Sequence, residues 1–208
     1  MTIGTSGHRD KVFNVHVGLL SHYSSFYTLE HLSIKSEDRD SVRMSISSEL
    51  LEHFVKWLYT GRISVDPSFS DLVKLYYFAS KVKVLALRRA VMTKMHESLQ
   101  ETCIETENIL EASQYDTDSP SPLFQYLVDE RLHHGDAGRA GNYAELPPTF
   151  LQQLIIGLYE KQDRLDGANT KGRYRCPCCN DPCKYHEHES EEERLASKSC
   201  LIFKITVY

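Results

Sequence analysis

The sequence lacks any long hydrophobic run. No window approaches the ~18 apolar residues of a membrane span, and the opening MTIGTSGHRDKVF holds no apolar stretch of signal-peptide length. The reading is of an intracellular protein, cytoplasmic or nuclear, with no membrane partner, whose thiols stay reduced. Clustered cysteines then read as metal ligands or reactive thiols before disulfides. A basic excess is also missing: 24 Lys and Arg stand against 29 Asp and Glu, a net charge of −5. Nucleic acid is therefore not an expected partner, because its binding rests on clustered cations. There is no internal repeat, and beyond Asp166 core-forming residues become scarce.

What is present is ordinary globular patterning, with 41% apolar and 25% charged residues. KVFNVHV alternates, with Phe13, Val15 and Val17 opposite Val12, Asn14 and His16, as a half-buried strand does. Leu19, Leu20, Tyr23, Phe26 and Tyr27 follow with helical spacing. SVRMSI alternates again, placing Val42, Met44 and Ile46 on one face. SSELLEHFVKWLYTG predicts a helix capped by Ser47 or Ser48, with Glu49 in its first turn and Gly61 at its end. Its apolar stripe is Leu50, Leu51, Phe54, Val55 and Leu58, and Trp57 beside it reads as packing. A second helix follows Ser70 as cap, facing Leu72, Leu75, Tyr76 and Ala79 inward. A third carries Leu87, Val91, Met95 and Leu99, with its basic residues on a solvated face. ETENILEASQY and SPLFQYLVDERLHH read as shorter helices, separated by the proline-bearing loop DTDSPSP. GDAGRAGNYAELPP reads as a connection into a last amphipathic helix, with Phe150, Leu154, Ile155 and Leu158 aligned. CLIFKITVY has strand propensity. The class is α+β, dominated by helices.

Three of these stretches resemble the BTB (POZ) domain. FNVHVGLLSHYSSFY is similar to the family's F-x-V-H-K-x-x-L-x-x-x-S-x-x-F through Phe13, Val15, His16, Leu20 and Ser24, with Tyr27 in the final Phe place. HFVKWLYTGRI resembles the helix end F-x-x-x-x-x-Y-T-G through Phe54, Leu58, Tyr59, Thr60 and Gly61. DLVKLYYFASKVKVLALRR is similar to the paired helices of the single-BTB proteins of filamentous fungi. Two positions depart from the pattern. Val17 replaces the usual lysine, and only TIGTSGHRD precedes Phe13. The opening strand is thus expected to be curtailed, at most Thr2 to Gly4, and pairing with the strand through Val15.

The resemblance implies a BTB/POZ fold, a small sheet with a cluster of helices, over residues 1–100. A helical extension over 101–165 and an irregular Cys/His-rich acidic tail over 166–208 follow. It implies an interaction module without catalytic residues: an adaptor or scaffold, either a substrate adaptor for a cullin-based ubiquitin ligase or a transcriptional co-regulator. The partner would be a second copy, through a homodimer, or a cullin-type scaffold. Many BTB dimers use N-terminal elements, which the short opening strand curtails. Candidate contact residues are Leu20, Tyr23, Phe26 and Tyr27, each of which has core filling as its competing role; Leu20 and Tyr27 fall on family core positions. His16 reads as a core histidine satisfied by backbone, with a buried pH switch as the alternative.

The tail RCPCCNDPCKYHEHESEEER concentrates four of the six cysteines beside two histidines. Zinc takes four Cys, His or acidic ligands, commonly as pairs two to four residues apart. Cys179 and Cys183 are separated by three residues, Cys183 and His186 by two, and His188 and Cys200 by eleven. A site of Cys179, Cys183 and His186 with His188 or Cys200 is sterically reasonable, and Cys176 and Cys178 are further candidates. C-x-Y-H-x-H also resembles tails of the fungal BTB proteins. No standard finger has this spacing, so two readings stay open: one structural zinc that staples the tail, or a thiol-rich tail without fixed structure. An alternative function is a zinc-binding, transcription-associated protein whose tail contacts nucleic acid, although its flank EHESEEER is acidic. A catalytic Cys183–His186 pair is set aside, because nothing supplies an orienting third group.

Overall fold

The computed structural model describes residues 2–5, 11–28, 41–44, 46–63, 67–99, 104–115, 120–134, 143–167 and 177–196. The strand expected at 200–208 and the connection at 135–142 lie outside these, as does the side chain of Leu99. Two compact units form, Met1–Met95 and His96–Tyr208.

The first unit is α+β. Strands β1 (Thr2–Thr5), β2 (Val12–Asn14) and β3 (Ser41–Met44) make one sheet in the order β2-β1-β3. β1 meets β2 antiparallel, Ile3 opposite Phe13, and β3 parallel, Ile3 opposite Val42. The short opening strand therefore pairs with the strand before Val15 as expected, and it also forms the centre of the sheet. Ile3 sits between two neighbours and is fully buried, whereas Val12 on the edge strand is exposed.

The alternation expected through His16 stops at Asn14. His16 instead precedes helix α1 (Val17–Tyr23) at its N-cap position, and it is exposed. The physical reason is a contact from a distant helix. Its backbone N–H meets the Tyr59 hydroxyl at 3.1 Å, and its Nδ1 lies 2.8 Å from the same oxygen, so it is satisfied at the surface by a side chain. Residues 25–28 add a further helical turn. β3 likewise ends at Met44, leaving Ile46 outside the strand.

Helix α2 (Ser48–Thr60) is capped as its sequence suggests: the Ser47 hydroxyl accepts from Leu50 N–H at 3.3 Å. Gly61 closes it in the left-handed region at φ 66°, donating its N–H to the Trp57 carbonyl. Such a φ costs a side-chain-bearing residue about 1 kcal/mol, hence glycine. The buried stripe is Leu50, Leu51, Phe54, Trp57 and Leu58; Trp57 takes the place expected for Val55, which is half-buried. Each such apolar side chain contributes about 1.5–3 kcal/mol over leaving it in water.

The cap of helix α3 (Phe69–Lys81) is Ser68, not Ser70. Its hydroxyl accepts from Asp71 N–H and donates to the Asp71 carboxylate, a reciprocal pairing unavailable to Ser70. Leu72, Leu75, Tyr76 and Ala79 all face in, together with Val73 and Phe78. Helix α4 (Leu85–Leu99) buries Leu87, Val91 and Met95.

In the second unit, helices α5 (Thr106–Ser113), α6 (Pro122–His134) and α7 (Pro148–Gly167) are followed by two four-residue turns and helix α9. The two turns are α8 (Pro177–Asn180) and a 3-10 turn (Pro182–Tyr185), and α9 spans Glu191–Ala196. The stripe expected on α7 is rotated. Phe150 and Leu154 are buried, but Ile155 and Leu158 are exposed. The face packed on α6 includes the half-buried Gly157, where an added Cβ would lie 2.9 Å from Leu132 Cδ2. The bare glycine lets α7 approach α6 on that side, and the larger apolar residues beside it face out.

Within the first unit, Ser24 joins α1 to α3. Its buried hydroxyl donates to the Val82 carbonyl at 2.6 Å and accepts from Tyr27 N–H at 3.3 Å. Replacing it by alanine leaves the Val82 carbonyl unmet, so Ser24→Ala is expected to cost about 1–3 kcal/mol. Urea unfolding followed by fluorescence of the single tryptophan, Trp57, checks this; an unchanged midpoint would contradict the role.

Candidate metal centre

The tail is built outward from one buried carboxylate. Asp129 lies on α6 and is 7% exposed. Its Oδ2 accepts from the Tyr185 hydroxyl at 2.7 Å and from Lys184 Nζ at 2.8 Å, and its Oδ1 accepts from Gln125 Nε2 at 3.2 Å. Tyr185 is itself buried, edge-on to Tyr126 with ring centroids 5.1 Å apart. Burial, and then the Asp129 carboxylate, push the Tyr185 hydroxyl well above its usual range, so it serves only as a donor.

This anchor fixes the turns that carry the candidate ligands. Asp181 N–H donates to the Pro177 carbonyl at 2.9 Å, Lys184 N–H to Asp181 at 3.0 Å, and His186 N–H to Cys183 at 3.1 Å. Glu187, between the two histidines, takes φ 52°, a left-handed conformation uncommon for a non-glycine residue. Beyond it the charge run is a capped helix. Ser190 Oγ accepts from Glu193 N–H, and Glu193 Oε2 accepts from Glu189 N–H. Arg194 holds Glu191 with two hydrogen bonds and reaches Asp181 at 3.6 Å, tying α9 back to the 3-10 turn.

The result is a group of Cys183, His186 and His188 whose ligand atoms lie within 4.8 Å of one another. These three could hold a metal ion. A tetrahedral zinc with bonds of roughly 2.0–2.3 Å sets its ligand atoms roughly 3.3–3.8 Å apart. Closing on an ion thus takes side-chain movements of order 1 Å. Thiolate with imidazole is a donor set that suits zinc. Cys183 and His186 are buried, and the side chain of His188 is 6% exposed, so an ion here would be largely screened from solvent.

The chain matches no protein-family model, and no curated protein matches it. No helix among the described residues is long and apolar enough to cross a membrane.

Of the other candidate ligands, Cys176, Cys200 and the side chain of Cys179 lie outside the described residues. Cys178 is buried, and it is not one of the three whose ligand atoms all lie within 4.8 Å of one another. The expectation of reduced thiols does not hold at the centre: Cys178 and Cys183 are both disulfide-bonded. They sit on the turns before and after Asp181, and both are buried. A disulfide sulfur has no thiolate to offer, so metal binding at Cys183 requires its reduction.

Among the proposed contact residues, Leu20 and Tyr27 are core, at 1% and 6% exposure. Tyr23 and Phe26 are half-buried: Tyr23 leans on Trp57 at 5.1 Å and Phe26 on Tyr27 at 5.3 Å. Asp129 carried no signal in sequence, being one acid on an amphipathic helix. Only Tyr and Lys between the ligands of C-x-Y-H hint at a buried acceptor elsewhere.

Two predictions follow from this geometry. Asp129→Ala strands the buried Tyr185 hydroxyl, and is expected to cost about 2–4 kcal/mol in thermal or urea unfolding; Lys184→Ala, losing a half-exposed partner, costs about 1 kcal/mol or less. The second concerns Glu130, whose carboxyl burial raises to about 7, with Arg131 opposing. A folded pKa above the unfolded value means the folded state holds the proton longer. Its contribution is complete below about 4.5 and is lost as the pH rises through about 7. His96, His133 and His134 act in the opposite direction. Burial lowers all three, so their contribution is present above about 6.5 and lost as the pH falls through their folded values. The difference between the wild type and Glu130→Gln isolates the carboxyl. The variant is expected to gain about 1–2 kcal/mol relative to wild type between pH 5 and pH 8; parallel stability curves would refute this.

Proposed function

We propose that the chain is a protein–protein interaction module of the BTB type. It acts as an adaptor or scaffold, for a cullin-based ubiquitin ligase or in transcriptional co-regulation, and carries no catalytic centre. One observation carries the reading. The three stretches that resemble the family, far apart in sequence, satisfy one another inside the first unit. His16 of the first meets Tyr59 of the second at 2.8 Å, Ser24 of the first donates to Val82 of the third at 2.6 Å, and Phe54 of the second packs edge-on to Phe78 of the third at 5.3 Å. Motif residues bound together in this way support a common structural origin of the three signals rather than three coincidences of spacing.

The half-buried Tyr23 and Phe26 are the contact residues of this reading, since rigid aromatic anchors dominate interface energetics. The second unit is a helical extension, and one zinc on Cys183, His186 and His188 staples its tail. Protein of intracellular origin then works in cytoplasm or nucleus. The nucleic-acid alternative draws no support from the flank of the centre, where Glu191, Glu192 and Glu193 follow the histidines.

Light scattering on the eluting full chain, alone and with a purified cullin N-terminal domain, tests the reading. A dimer mass or a cullin complex is expected, weakened about tenfold or more by Tyr23→Ala with Phe26→Ala. A strictly monomeric chain that leaves the cullin domain unbound would overturn it.

A further inference from the structure

We propose that the tail centre is a redox-gated zinc site, in which Cys178 and Cys183 alternate between disulfide and metal ligand. The inference rests on reading Cys183, His186 and His188 as a zinc group, and adds a fourth ligand and a control to it. Cys183 occupies two chemical positions at once. Its Sγ lies within 4.8 Å of the ligand nitrogens of His186 and His188, and it is disulfide-bonded. The two states exclude each other, because zinc takes the thiolate and a disulfide has none.

Cys178 supplies the missing member. It is the other disulfide-bonded cysteine among the described residues, and it is 2% exposed against 5% for Cys183. It sits on the turn before Asp181, with Cys183 on the turn after it. Reduction frees two buried thiols, of which Cys183 already lies within 4.8 Å of the two imidazoles and Cys178 is brought in by closure of the turns. The set becomes Cys178, Cys183, His186 and His188, four donors of the kind structural zinc takes.

The step balances with a dithiol as reductant. Its thiolate attacks the disulfide, the sulfur–sulfur bond breaks, and a second attack closes the dithiol into its own cyclic disulfide. Two electrons pass to the protein sulfurs. Cys178 and Cys183 emerge as thiols, and each gives its proton to solvent as it binds Zn²⁺. Burial of both sulfurs sets the rate, since a dithiol reaches them only when the four-residue turns open. The reverse direction needs a thiol oxidant, which re-forms the disulfide and releases the ion. Disulfides persisting in a reducing compartment are commonly of this transient, sensing kind.

The test uses the full chain and zinc alone, with a chromophoric chelator as competitor and a thiol titration under denaturing conditions. The air-oxidised chain, the dithiothreitol-reduced chain, and the reduced zinc-loaded chain treated with diamide are compared. About one zinc per reduced chain is expected, with affinity falling roughly a hundredfold or more in the oxidised chain and zinc released by diamide as thiols disappear. Tight zinc in both redox states overturns the gate and leaves the zinc reading standing. Zinc in neither state removes the zinc reading, and the gate with it. Cys178→Ser is expected to bind about 10–100-fold more weakly, and equally with and without dithiol. If that variant still needs the dithiol, the disulfide partner of Cys183 is another cysteine and the role of Cys178 is overturned.

Discussion

The described part of the tail depends on a single buried acceptor. From Pro177 to Tyr185 the backbone makes only two four-residue turns, too short to be stable alone. What fixes them is Asp129, receiving the Tyr185 hydroxyl and the Lys184 ammonium on the same oxygen. The two donors differ in weight. Lys184 is half-exposed and is screened by water, whereas Tyr185 is almost wholly buried and its hydroxyl has no solvent to fall back on. The ring carries the apolar burial and the hydroxyl fixes the register. Because Tyr185 stands between Cys183 and His186 in sequence, placing it places both neighbours. The spacing C-x-Y-H is thus an anchor and two donors in one turn of chain.

That arrangement explains how so polar a segment acquires a buried centre. Cysteine is readily buried, but two histidines and a tyrosine hydroxyl need partners when water is removed. Asp129 serves the hydroxyl, and Arg194 closes the far side through Asp181 and Glu191. A metal ion or a disulfide at Cys183 then acts on a shell already ordered by hydrogen bonds. Without that shell, either link would have to pay the whole ordering entropy of the turn itself.

How much of this was legible in sequence divides by the range of the interactions. Features set within one turn of chain were readable: the Ser47 cap, Gly61 at the end of α2, and the inward line Leu72, Leu75, Tyr76 and Ala79. Errors arose where two local candidates compete and a side chain decides. Ser68 beats Ser70 because only it has Asp71 three residues on. Trp57 displaces Val55 from the stripe because Phe54 and Tyr23 offer it aromatic partners. On α7, periodicity counted Ile155 and Leu158 as inward, but a glycine chose the packed face. Long-range pairings left no local trace: the parallel ladder between β1 and β3, His16 on Tyr59, and above all Asp129 on Tyr185. The donor types of the candidate metal group were legible, since they lie within a few residues. The acceptor that positions them was not, because it lies 56 residues away.

Asp129 and Glu130 show on one helix why residue type alone does not set behaviour. They are adjacent, both acidic and both buried. Asp129 is met by an ammonium and a hydroxyl at close range, so its burial is offset by partners that favour an acceptor. Glu130 has burial as its largest influence, and Arg131 offsets only part of it, so its carboxyl keeps a proton up to about pH 7. One acid therefore fixes structure, and its neighbour makes stability respond to pH near neutrality. Both stand on the helix that anchors the turns carrying Cys183 and His186. Deprotonation of Glu130 therefore acts on the helix that supports these turns.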